Sequence, residues 1–115
     1  MYQLSYAEHI ADNPKDCRDR ERLALEHAIG LLQKAEDAGA QSLEAAAAIN
    51  FVSQLWNAFI QDLVDPENDL SDVLRADLLS IGIWVIKEVA LIRSAQSQNF
   101  RGVIEICSMI RDGLK

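Results

Sequence analysis

Leu78-Leu79-Ser80-Ile81-Gly82-Ile83-Trp84-Val85-Ile86-Lys87-Glu88-Val89-Ala90-Leu91-Ile92 is the stretch whose reading decides the fold. Wound as a helix, it points apolar residues in every direction, and such a helix is packed by neighbours around most of its circumference. It is too short to cross a bilayer, which takes about 20 consecutive apolar residues, and Lys87 and Glu88 would sit inside the span. The expectation is a soluble protein in which this helix is central and Trp84, like Trp56 and Phe59, is a core residue.

The flanking sequence supplies the neighbours. Ser5 with Glu8 three residues later has the form of a capping box, predicting a short helical turn from Tyr6 to about Ala11. Asn13 is placed to cap and Pro14 to open a long helix whose apolar set is Ala24, Leu25, Ala28, Leu31, Leu32 and Ala35, with Gly39 as its stop. Ser42 is the cap of a second helix with the stripe Ile49, Val52, Trp56, Phe59 and Leu63, widened by Phe51, Leu55 and Ile60 and ended by Pro66. Ser71 caps the third, which contains the opening run and extends to Ala95, and Asn99 caps a last helix with Val103, Ile106, Cys107, Ile110 and Leu114 on one face. Connections this short make antiparallel neighbours, so residues 1–115 are expected to form one all-α domain. Its architecture is an up-down bundle of about four main helices with a short N-terminal helical segment. Gly30, Gly82 and Gly102 fall inside helices at about 1 kcal/mol each relative to alanine, which close approach of another helix would offset.

Composition narrows function by exclusion. A net charge of −7 argues against a general basic face for nucleic acid, and the nearest cluster, Lys15, Arg18, Arg20 and Arg22, is interleaved with Asp12, Asp16, Asp19 and Glu21 as on a salt-bridged solvent face. Cys17 and Cys107 form no paired motif and read as reduced, packed thiols. His9 and His27 lack a second ligand at helical spacing, the acids between Asp62 and Asp77 do not match a calcium loop, and nucleophile and phosphate-loop signatures are absent. No catalytic residue, metal or cofactor is expected, and the chain reads as a non-enzyme. Met1-Tyr2-Gln3-Leu4-Ser5-Tyr6 has neither the charged leader nor the apolar core of a secretory signal, which points to the cytoplasm.

Several segments together resemble the FlaF family of flagellar biosynthesis regulators. They are Met1-Tyr2 with Ser5-Tyr6-Ala7, Asp16-Cys17-Arg18-Asp19-Arg20-Glu21-Arg22, Leu55-Trp56 with Phe59-Ile60 and Asp62-Leu63, and Pro66-Glu67-Asn68. Leu74-Arg75-Ala76, Ser80-Ile81-Gly82 with Trp84-Val85, Asn99-Phe100-Arg101-Gly102 with Ile104-Glu105-Ile106, and Gly113-Leu114 continue the same order over nearly the whole chain. The resemblance implies a cytoplasmic bacterial protein that promotes flagellin synthesis and export, working with flagellin and in opposition to the translational repressor FlbT. Direct chaperoning of flagellin's amphipathic terminal helices would explain this, since a small bundle can take such a helix in an apolar groove. The alternative is post-transcriptional control of flagellin messenger RNA acting through FlbT. On the chaperone reading, the end aromatics Tyr2, Tyr6 and Phe100, with Arg101 and Ile104 beside Phe100, are the expected partner-binding residues at one end of the bundle. Apolar surface left open is also expected to favour self-association when flagellin is absent.

Overall fold

Proline fixes its own φ and lacks an N–H, a combination suited to the first position of a helix, and α1 runs Pro14–Ala38. The computed structural model describes residues 14–113, with side chains from residue 17 onward. The capping box at Ser5 and Glu8, the cap Asn13, Leu114, and Tyr2 and Tyr6 lie outside the described residues. Gly39 ends α1 at φ +105°, and its N–H returns to the Ala35 carbonyl at 2.8 Å. Ser42 then caps α2 (Leu43–Val64): its Oγ accepts the Ala45 N–H at 3.0 Å and donates to the Gly39 carbonyl at 2.6 Å.

After Pro66 the chain turns through side-chain bonds. Asp65 Oδ1 accepts the Glu67 N–H at 2.8 Å, and Asn68 Nδ2 donates to the Asp62 carbonyl at 3.0 Å. Ser71 caps α3 (Asp72–Arg93) by accepting the Leu74 N–H at 3.2 Å. This helix stops two residues short of the expected Ala95, because Ala95 itself is left-handed at φ 65° and the Gln96 N–H closes back on the Leu91 carbonyl at 2.8 Å. Asn99 Oδ1 accepts the Gly102 N–H at 3.0 Å and so caps α4 (Phe100–Gly113).

Among the described residues there are four helices and no strand, and they form an all-α bundle. α1 packs between α2 and α4, and α2 packs between α1 and α3, while α3 and α4 meet only lightly. The core lies along α1 and α2, with Leu25, Leu32, Val52, Leu55 and Trp56 facing Val85, Val89 and Ile92 of α3 and Val103 and Cys107 of α4. Arg101 Nη2 meets Glu36 Oε1 at 2.6 Å and ties the start of α4 to the end of α1, as an antiparallel pair requires.

Two expectations about α3 need correction. It is not surrounded: its buried residues are Gly82, Val85, Val89 and Ile92, one seam rather than a circumference. Trp84 is 38% exposed, not a core residue, because it stands on the side of α3 turned away from α2 and α4. An all-round apolar helix at the weakly closed edge of a ring has the same sequence signature as one at its centre. The glycines divide. A Cβ on Gly82 would lie 3.0 Å from Ile60 Cγ1 and 3.3 Å from Trp56 Cε3, so this glycine admits α2 closely. One on Gly30 would meet nothing within 4 Å, and one on Gly102 would meet its own capping Asn99.

Candidate functional site

The light contact between α3 and α4 leaves a cleft of about 330 Å³ at the end of the bundle where α1 begins and α4 ends. α1 contributes Arg18 and Glu21, α2 contributes Trp56, Phe59, Asp62 and Leu63, and the 65–71 connection contributes Asn68, Asp69 and Leu70. Leu78 of α3 and Ile110 of α4 complete the lining. The interleaved charges of α1 therefore do not all face solvent. Arg22 pairs with Asp19 at 2.9 Å on the helix surface, whereas Glu21 is half-buried at the cleft. Burial raises the Glu21 carboxyl above its ordinary value, the Asp62 carboxylate raises it further, and Arg20 and Arg18 offset only part of this.

Beneath the cleft, Trp56 is 1% exposed and meets Phe59 edge to face with ring centroids 5.1 Å apart. Its buried indole N–H lacks a partner in good hydrogen-bond geometry, although it lies close enough to Cys107 to lower that thiol's pKa slightly. Burial outweighs this and pushes the Cys107 thiol up to about 11. A second hollow, between the α1–α2 and α3–α4 turns at the other end, is lined by Ala38–Ser42 with Ala95, Ser97 and Gln98, and has no charged or large apolar side chain. Among the described residues no group of three His, Cys, Asp or Glu side chains is arranged to hold a metal ion.

The other exposed feature is α3 itself. Val73, Ile83, Trp84 and Leu91 are exposed, and Val73, Trp84 and Leu91 share its outer face by helical spacing. Near its first turn Leu74 and Leu70 are exposed too, so apolar surface continues from this helix to the mouth of the cleft.

Of the residues expected from the sequence to meet a partner, Tyr2 and Tyr6 lie outside the described residues, and Phe100, Arg101 and Ile104 lie away from these two features. Phe100 and Ile104 are 2% and 3% exposed and belong to the core, so neither presents its side chain at the surface. Arg101 is exposed and engaged with Glu36. Because α4 runs antiparallel to α1, Phe100 lies at the end of the bundle opposite the one where α1 begins. Arg18 and Glu36 are some 27 Å apart at about 1.5 Å per helical residue. The structure brings together instead Arg18, Glu21, Asp62 and Asp69, which read in sequence only as surface charge. The signal that bears on the outer face was the surplus of apolar residues on α3, more than one seam can bury.

The sequence model for flagellar protein FlaF matches residues 2–114. The chain belongs to the FlaF family. It is thus a flagellar protein, and the family assignment extends over all four helices and the cleft between them. No curated protein and no solved structure matches this FlaF-family chain. No described helix is long and apolar enough to cross a membrane.

Proposed function

We propose that this FlaF-family protein binds flagellin in the cytoplasm as an export chaperone and in doing so promotes flagellin synthesis. The observation that carries the reading is the apolar outer face of α3. Val73, Ile83, Trp84 and Leu91 are between 38% and 73% exposed on a helix whose opposite face is already packed. A patch of this kind favours an apolar partner, and covering each such side chain contributes about 1 kcal/mol. Flagellin's amphipathic terminal helices have the complementary shape for a helix-on-helix contact. The surface is therefore α3 with the open end beside it, rather than the inward-packed Phe100 and Ile104. The net charge of −7 weighs against an RNA leader as the direct partner. The reading contains no chemical step, so the protein acts by binding alone.

Calorimetric titration of intact flagellin into the protein tests this. Saturable binding is expected, weakened by Trp84→Ala without loss of helicity. No heat with intact flagellin or with either terminal segment would dismiss the proposal.

A further inference from the structure

The outer face of α3 carries a regular seam. Val73, Asp77, Ser80, Trp84, Lys87 and Leu91 follow one another at alternate spacings of four and three, and all of them are exposed. This is the spacing by which one helix presents a line of side chains to another. Asp77 and Lys87 stand in that line without an ion-pair partner among the described residues, and the α3 residues three and four positions from each carry no opposite charge.

The seam is complementary to itself. When a second copy of α3 lies antiparallel across it, related by a two-fold axis level with Gly82, every residue meets the one equally far on the other side of that level. Val73 then faces Leu91, Asp77 faces Lys87 and Ser80 faces Trp84, and the two-fold repeats each pair. Apolar side chains meet at both ends, acid meets base, and the indole lies over the smallest side chain of the seam. A parallel copy would set Asp77 against Asp77 and Lys87 against Lys87, which repel. An anionic membrane or nucleic acid is disfavoured as the occupant by the net charge of −7.

We propose that the outer face of α3 is the interface of a two-fold antiparallel dimer of this chain, in which Asp77 of each copy pairs with Lys87 of the other. The seam runs about 27 Å from Val73 to Leu91 at 1.5 Å per residue, and exposed Leu74 and Ile83 flank it. One pair of helices makes a small interface, and its charged pair fixes register and direction at some cost in affinity, so the dimer dissociates on dilution. One consequence rests on the function proposed above: dimer and flagellin exclude one another, and the free chain covers its apolar face until flagellin takes it.

Sedimentation velocity of the full chain alone, over about 1 to 200 μM, tests this, because a mass-action dimer grows in with concentration. Wild type is expected to pass from monomer to dimer across that range. Asp77→Lys and Lys87→Asp each set like charges face to face on both sides of the axis, and each should raise the dimer Kd at least about tenfold, most strongly at low salt. The exchange variant Asp77→Lys/Lys87→Asp restores opposite charges across the axis and should regain most of the wild-type affinity, which a merely disturbed fold would not do. Circular dichroism of all three variants should match wild type. A wild type that stays monomeric throughout would overturn the inference. So would a dimer indifferent to both single reversals, or single defects that the exchange variant fails to repair. The chain is tested alone, so a failure of flagellin to bind would sink the function proposed above and leave the dimer standing.

Discussion

Glu21 shows how position turns an unremarkable surface acid into a strained one. Its carboxyl is raised by burial first and by Asp62 second, so the folded chain binds this proton more tightly than the unfolded chain does. The linkage sign follows: Glu21's contribution to stability is greatest below the ordinary carboxylate value and is lost as pH rises through the raised folded value. Glu21→Gln is therefore expected to raise the melting temperature at pH 7, by less than about 1 kcal/mol of stability, and to have no effect near or below about pH 4. Thermal melts across that range check it. Gly30 and Gly82 make an opposed pair. Gly30→Ala meets open space and should gain about 1 kcal/mol from helix propensity. At Gly82 the same gain is set against contacts of 3.0 and 3.2 Å with Ile60, and a net loss is expected in denaturant titrations. Sequence put both glycines in one class; only the neighbour across the helix pair separates them.

At the scale of the element, boundaries were the most legible part of the chain, because each rests on local chemistry. Pro14, Gly39, Ser42, Ser71 and Asn99 all stand where the sequence placed them, each with a conformation or hydrogen bond that accounts for it. The end of α3 was less legible, since nothing in alanine announces a left-handed residue. Ala95 at φ 65° is a costly conformation for a residue with a Cβ, and Ala95→Gly is expected to stabilise by up to about 1 kcal/mol, read from chemical denaturation. Ser42→Ala should cost about 1 kcal/mol by the same measurement, because its hydroxyl serves both α1's end and α2's start. The facing of α3 was not legible at all. Periodicity says which residues of a helix differ from their neighbours, and a helix apolar on all sides has no face to assign.

For the whole molecule, what matters is that the ring of helices closes on three sides and barely on the fourth. The cleft at that seam depends on how far α3 and α4 approach, a long-range property that no local pattern encodes. Its charged residues, Arg18, Glu21, Asp62 and Asp69, looked like an ordinary solvated surface for that reason. Cys107 belongs to the closed part: fully buried, with its thiol pushed up to about 11, it should resist thiol reagents at pH 8 until the bundle unfolds, whereas half-buried Cys17 reacts first. The open part is the proposed docking surface for flagellin. Amide exchange of the protein, with and without flagellin, tests that placement most directly. Slower exchange over α3 and the 65–78 end is the expected result, and unchanged exchange there, or protection confined to residues 95–104 at the opposite end, would contradict it.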